Sequence, residues 1–449
     1  MNLLDATIVN LALPTIRDDL GVSASGLQWV LVIYILTFGA GLLPLGRFGD
    51  IFGRKRIFTI GLLGFMATSL IAGVAPEVST LILARGLQGF AAAAMVPQVL
   101  AIIHGMFSEE DRGKAIGMFG MINALGAVAG PVIGGTVISA DLLGLGWRPI
   151  FLINLPLGLI ALAGAVAFLP AQESRTTGRA DWIGAGFFAV AISAVIYPMI
   201  EGRAFGWPLW LSVFPAVAAA SALAFWRRQR WLEAQGRMQT LPSGLISNSG
   251  YVFGVASVMI MISALAGTMV VLSVFLQSGV GLTPAQAGLA LAPHPISAMV
   301  ASLASGRLGK RGLNLRVFAG VFVVFCGMIW LRLASGYVTS SNDIMGPLIL
   351  IGGGGGTAFV ALFQITLNHV SGADAGAGSG ALQAFQQVGG ALGIAIVGQL
   401  FFANIATPNH PDQYRAALAM ATLYPIVIAG GLALITIRNI IIKGTTNEA

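Results

Sequence analysis

Long apolar runs separated by short polar breaks organise this chain from end to end. Leu20 to Gly46, Ala115 to Ala140, Pro149 to Gln172, Ile344 to Ala373 and Ala416 to Ile437 contain no charged residue. Each is long enough, as a helix, to cross a hydrocarbon layer roughly 30 Å thick. Counting such runs predicts fourteen helices, beginning near Leu3, Leu27, Ile57, Ser79, Ala115, Pro149, Trp182, Leu209, Gly250, Ala285, Val317, Ile344, Gly376 and Ala416. The charge-free stretch from Met238 to Gly306 must hold two of them, divided near Gly281 to Pro284 by turn residues and a proline.

The first run does not fit the others. Met1 to Ile16 is sixteen residues, which as a helix reach only about 24 Å. The first helix is therefore expected to be truncated, with the true start codon upstream of Met1. It is expected to stay in the mature chain, because it lacks the basic start and small-residue cleavage site of a signal peptide. The most charged interruption, Arg227 to Arg237, carries four arginines and reads as a cytoplasmic linker. The chain is thus expected to divide into an N-terminal six-helix bundle over 1–170, a two-helix insert with its linker over 171–237, and a C-terminal six-helix bundle over 238–449. That all-α integral membrane arrangement of fourteen helices suits a transporter built from two related halves.

Composition narrows the class further. Of 449 residues, 56% are hydrophobic and 9% charged, against roughly 45–50% and about 25% in a soluble domain. So few charges cannot cover a water-soluble surface. The net charge of +7 comes in small clusters between apolar runs, which is a topology signal and not a nucleic-acid patch. With both termini placed in the cytoplasm, eighteen of the 24 Lys and Arg fall in inside loops or at the C-terminal end, and Arg85 falls within a helix. The single cysteine, Cys326, offers neither a disulfide framework nor a cysteine metal site. No nucleophile stands with a base, and the run Gly352 to Gly356 sits in an apolar segment without a following lysine, unlike a phosphate loop. An enzyme, a metal centre and an organic cofactor are not expected.

Four places carry polar chemistry. In the first run, Leu4-Asp5-Ala6-Thr7-Ile8-Val9-Asn10 puts a carboxylate into an apolar helix, where low dielectric favours its protonated form; at the cytoplasmic surface the same residue would simply be solvated. In the fourth run, Arg85-Gly86-Leu87-Gln88-Gly89 puts a permanent charge inside the membrane, which is costly and points to a cavity or an anionic partner, or else to a side chain reaching for the interface. Between the second and third runs, Gly46, Asp50, Gly53, Arg54 and Lys55 combine an acid, a basic cluster and glycines in one short turn. In the fifth, Gly126, Gly130 and Gly134 recur every fourth residue, with Pro131 and Gly135 beside them, leaving one face bare for a close helix neighbour.

The Gly46 to Arg56 turn resembles the loop signature of the major facilitator superfamily. The fifth-run glycines resemble the signature of its exporters, and Leu4 to Pro14, Leu282 to Pro293 and Ala377 to Gly393 resemble the fourteen-helix drug:proton antiporters. The likeness spans nearly the whole chain. It implies a proton-coupled antiporter that exports small amphipathic compounds by alternating access. Asp5 and Arg85 would carry proton coupling; Gly46, Asp50, Gly53, Arg54 and Lys55 a conformational latch; and Gly126, Gly130, Pro131, Gly134 and Gly135 the antiporter helix. Asn10, Trp29, Tyr34, Gln88, Asn123, Gln383 and Gln387 are candidates for the substrate path. The implied setting is the inner membrane of a bacterium, with a proton gradient in place of a cofactor, a small-molecule substrate, the bilayer, an optional periplasmic adaptor and a monomeric state. Two departures stand out. The second-half loop Gly306 to Gly312 has Lys310 where such loops often place an acid, and the Met238 to Gly306 run offers no second carboxylate. His104 and His369 fall at inner helix ends and His410 in an outer loop, where surface roles are expected; His294 could titrate but is expected to be structural. The rival readings are a proton symporter or facilitator importing a nutrient, and a non-transporting membrane sensor.

Overall fold

A computed structural model describes residues 1–107, 109–169, 181–237, 239–309, 311–370, 375–405 and 411–446, and every regular element among them is helical. The chain opens with α1 (Asn2–Leu20), α2 (Ala24–Phe52), α3 (Arg54–Gly73), α4 (Val78–Met106), α5 (Glu109–Ser139), α6 (Pro149–Leu152) and α7 (Asn154–Phe168). A hairpin of α8 (Trp182–Glu201) and α9 (Val213–Ala234) follows, then the short α10 (Ser243–Ser247). The rest comprises α11 (Ser249–Val274), α12 (Pro284–Leu291), α13 (Pro293–Arg307), α14 (Leu313–Ala334), α15 (Met345–Leu367), α16 (Ala375–Phe402), α17 (Pro411–Ala421) and α18 (Leu423–Thr446).

Local chemistry sets the joints. Gly21 ends α1 in the left-handed conformation (φ 62°), its N–H donating to Arg17 O, and Ser23 at once caps α2 by accepting from Gly26 N. Gly53 (φ 93°) is the whole connection between α2 and α3, a backbone state that side chains with a Cβ resist. The break predicted near Gly281 to Pro284 is present: Gly281 has φ 83°, and Thr283 with Gln286 forms a capping box at the start of α12. Pro156 lacks the N–H that would bond Leu152 O, and the helix is interrupted there at Ile153, between α6 and α7.

Twelve helical stretches among the described residues are long and apolar enough to cross a membrane. The fourteen expected from the apolar runs exceed these by two. The first is α1, which bears Asp5, Arg17, Asp18 and Asp19; the second is α5, of whose charge-free run Ala115 to Ala140 the stretch Leu125–Ser139 stands among the described apolar helices. Helix α1 extends to Leu20, 19 residues rather than the sixteen expected, so it measures roughly 28 Å. The glycine run Gly352 to Gly356 lies within α15 and works in packing: a Cβ at Gly352 would stand 2.1 Å from His294 O, at Gly354 2.5 Å from Gly320 O, and at Gly356 2.3 Å from Ala298 O.

The α8–α9 hairpin is fastened by Asp181. Its carboxylate accepts from Gly184 N at 3.0 Å, Arg228 Nε at 2.8 Å and Gln229 Nε2 at 3.0 Å, and Gln229 Oε1 in turn accepts from Thr240 N at 2.8 Å. Burial alone would raise the Asp181 carboxyl, but the donors from Gly184, Arg228 and Gln229 outweigh it and hold it below its ordinary value. A depressed carboxyl lends stability that is fully present above the unfolded value, about 3.9, and is lost as pH falls through the lower folded value. Asp181→Asn is therefore expected to lower the thermal midpoint in detergent by several degrees at pH 7. The deficit should shrink as the pH approaches 3, and a deficit constant from pH 7 to 3 would contradict the role of the charge.

Candidate functional site

The buried polar residues of α1, α3, α4 and α7 meet at one point. Asp5 is 0% exposed, and Ser69, Gln88 and Asn154 are likewise 0%. Arg85, 1% exposed, donates from Nη1 to Asp5 Oδ2 at 2.6 Å and to Gln88 Oε1 at 2.6 Å, while its Nε donates to Val30 O at 3.2 Å. Asp5 Oδ1 accepts from Gln88 Nε2 at 3.1 Å and from Asn154 Nδ2 at 2.9 Å. Ser69 Oγ accepts from Gln88 Nε2 at 2.7 Å and Asn154 Nδ2 at 3.3 Å. Beneath the guanidinium lie aromatic faces, Tyr34 at 4.2 Å and Phe151 at 5.7 Å, and the Tyr34 hydroxyl donates to Asn2 Oδ1.

The spacing explains the convergence. Arg85 and Gln88 are three residues apart on α4 and so share a face. Asn154 opens α7 just after the interruption at Ile153, and its amide reaches Asp5. Each oxygen of Asp5 is thereby held by donors and shielded from water, which excludes the solvated surface position left open by the sequence.

The glycines of α5 serve two neighbours. Gly126, Gly130 and Gly134 face α1: a Cβ at Gly130 would lie 1.9 Å from Thr7 Oγ1, and at Gly134 2.4 Å from Ile8 Cγ1. Gly135 and Pro131 face α12: a Cβ at Gly135 would lie 2.3 Å from Pro284 O, and one at Gly288 2.1 Å from Pro131 O. Ser139 Oγ accepts from Ala285 N at 3.0 Å beside them. The exporter-like glycines therefore separate into a stripe that seats the helix bearing Asp5 and a contact that joins α5 to α12.

At the α2–α3 turn, Arg54 donates to Ala101 O at 2.6 Å and Lys55 donates to Val166 O at 3.2 Å and to Leu169 O, gripping the carbonyl ends of α4 and α7. Gly46 packs on Pro97, and Gln98 fills the space that a side chain at Gly49 would need, its Nε2 donating to Leu45 O at 3.1 Å. The side chains of Asp50 and Asn123, and also His104, Lys310 and His410, lie outside the described residues.

The nominated substrate-path residues that are described have different partners. Tyr34 and Gln88 belong to the Asp5 cluster. Trp29 donates to Glu201 Oε1 at 2.7 Å, and the neighbouring Arg203 donates to Phe402 O, so the end of the α8–α9 hairpin is tied to both α2 and α16. Asn10 is half-buried and its carbonyl accepts from Ser273 Oγ of α11 at 2.9 Å. Gln387 packs beside Gly39 of α2, and Gln383 is half-buried one turn away. His369, beyond the end of α15, places Nδ1 2.9 Å from Ile365 O. Ser69, Asn154, Gln98 and Glu201 escaped the sequence reading. Only Asn154 left a trace there, as a lone amide two residues before a proline in an apolar run.

Many apolar helices around a sealed acid–base pair are an arrangement suited to a membrane transport protein. The family model described as Major Facilitator Superfamily matches residues 1–394, and the chain belongs to that superfamily. It is a multi-pass membrane transport protein, not an enzyme. The chain is 36% identical to the "Probable actinorhodin transporter" of Streptomyces coelicolor, over 94% of this chain and 75% of that one. It is 30% identical to the "Multidrug resistance protein Stp" of Mycobacterium tuberculosis, over 93% and 76%, and 35% identical to the "Puromycin resistance protein pur8" of Streptomyces alboniger, over 88% and 78%. Among solved structures, the fold is similar to that of a bacterial homologue of the human lysosomal transporter Spinster, inward-facing and unoccupied, with a TM-score of 0.68 at 16% identity over 97% of this chain and 94% of that one.

Proposed function

We propose that this chain is a proton-driven antiporter that exports small amphipathic compounds from the bacterial cytoplasm. The observation carrying this reading is the Asp5–Arg85 pair, held dry at 2.6 Å among α1, α3, α4 and α7. A proton taken up by Asp5 cancels the charge that holds Arg85, so occupancy by a proton has a differential affinity for two arrangements of the helices. The names of the relatives, an antibiotic transporter and resistance proteins, support export and an amphipathic cargo.

In this reading α1 and α5 also cross the membrane, giving fourteen helices as two six-helix halves around the α8–α9 insert. Both termini face the cytoplasm, following the Lys and Arg bias. Of the contacts between the halves, α5 to α12, Asn10 to Ser273 and Gly398 to Gln28 then lie toward the outer side, while Gln387 meets Gly39 farther in. The Gly46 to Lys55 turn serves as the latch of the first half.

The test is accumulation of a fluorescent cationic drug in inside-out vesicles under an imposed pH gradient. Wild type accumulates the drug and Asp5→Asn is expected to lose at least tenfold of that rate, while drug-for-drug exchange without a gradient persists. Undiminished gradient-driven uptake by Asp5→Asn removes Asp5 as the carrier, and a gradient that drives the drug out of such vesicles favours the importer.

A further inference from the structure

Every hydrogen-bonding atom that reaches the Asp5 carboxylate is a donor: Arg85 Nη1, Gln88 Nε2 and Asn154 Nδ2. That suits a carboxylate, which only accepts. A protonated carboxyl needs an acceptor for its O–H, and the neighbouring acceptors are engaged. Gln88 Oε1 is held by Arg85 Nη1, and Ser69 Oγ already accepts from two amides. One buried acceptor beside the acid is idle, Asn154 Oδ1, which is without a partner although its residue is 0% exposed. A buried amide oxygen left unpaired is costly and calls for an explanation.

We propose that the Asn154 side-chain amide reads the protonation state of Asp5 by turning over. With Asp5 ionised, Nδ2 donates to Asp5 Oδ1 and Ser69 Oγ. When a proton from the aqueous phase forms the O–H bond on Asp5, the amide rotates about χ2 so that Oδ1 occupies the place of Nδ2. Oδ1 then accepts from the new carboxyl O–H and from the Ser69 hydroxyl, whose oxygen continues to accept from Gln88. The two ends of an amide are nearly equal in size, so the turn needs no repacking in a closed site. No other covalent bond is made or broken, and the two hydrogen bonds from Nδ2 are exchanged for two to Oδ1. Because Asn154 is the first residue of α7, after the interruption at Ile153, the exchange of a donor for an acceptor is passed to a helix end, whereas Ser69 and Gln88 lie within continuous helices.

Asn154 is thus a positioning residue for proton coupling, and its role rests on Asp5 being the proton carrier. The charged and titratable groups around Asp5 are Arg85 on α4, Tyr34 on α2 and the Met1 amine at the head of α1. The residues facing it from α3 and α7, Ser69 and Asn154, are uncharged.

Infrared difference spectra of the full chain in lipid nanodiscs, titrated with acid, test this. In wild type, a protonated-carboxyl band that is missing from Asp5→Asn should grow as pH falls. In protein carrying 13C-labelled asparagine, an asparagine carbonyl band should shift with the same midpoint and stay fixed in Asp5→Asn. Asn154→Leu removes the one unpartnered acceptor beside the neutral acid but only one of three donors to the charged one. Its titration midpoint should therefore drop by about one pH unit, a tenfold loss of proton affinity. Asn154→Asp, which restores an acceptor and adds negative charge, should move it upward. A purely structural or donor role gives the opposite sign for Asn154→Leu. A midpoint that rises or stays in Asn154→Leu, or an asparagine band that does not respond in wild type, overturns the amide switch while leaving Asp5 as carrier. Absence of any Asp5-dependent carboxyl band in wild type overturns both.

Discussion

Arg85→Leu is expected to cost the fold about 3–5 kcal/mol and to abolish gradient-driven export. The size follows from burial. Arg85 is 1% exposed, and its removal strands the Asp5 carboxylate at a site 0% exposed, with two amide donors in place of an ion pair. Breaking a buried pair from one side is far more damaging than replacing both members with apolar residues of similar volume. The double variant Asp5→Leu, Arg85→Met should therefore regain most of the thermal stability lost by Arg85→Leu while remaining without proton-driven transport. Arg85→Lys should not rescue transport to better than about a tenth of wild type. A single ammonium cannot reach Asp5, Gln88 and the Val30 carbonyl together while lying flat on Tyr34. Thermal unfolding in detergent and drug accumulation in inside-out vesicles give the two readouts. Wild-type export by Arg85→Leu would make the pair a matter of architecture alone.

The helices were legible because lipid imposes one rule on the backbone and the sequence obeys it in long apolar runs. The turn at Gly281 to Pro284 could be placed from its residues, and Asp5 and Arg85 stood out because a charge in an apolar run is rare. Their meeting was not legible, since nothing in a sequence states that positions 5 and 85 face one another. Asn154 and Ser69 went unremarked for a related reason. Uncharged polar residues are common in membrane helices and acquire meaning only from the three-dimensional neighbours that complete their hydrogen bonds. The glycines of α5 were visible as one bare face, yet the structure divides them between α1 and α12. A register of four residues marks a stripe, and Gly135, one residue from Gly134, turns about 100° away from it. Aromatic and amide side chains nominated for the substrate path also serve as ties between helices, as Trp29 does with Glu201.

That division of glycines gives the second large expectation, Gly135→Val opening the end of the molecule where α5 meets α12. A Cβ at Gly135 would stand 2.3 Å from Pro284 O and 2.9 Å from Ala285 Cα. Both belong to a helix start that is fixed by the Thr283–Gln286 capping box. Backbone atoms cannot swing aside as a side-chain tip does, so α12 must move away as a unit, breaking the Ala285 N–Ser139 Oγ bond and unseating Gly288 from Pro131 O. A differential cost of about 5.5 kcal/mol carries a two-state equilibrium from 1:99 to 99:1, and a valine forced into this contact is expected to approach that scale. Spin labels at the exposed positions Leu142 and Tyr337 should then report a longer distance as the main population, and export should fall more than tenfold, because a transporter held in one orientation cannot cycle. Gly186→Ala is the control, since a Cβ there meets nothing within 4 Å, and it should leave both readouts unchanged. A Gly135→Val protein that keeps the wild-type distance and exports normally would show that the α5–α12 contact is not the closure on which alternating access depends.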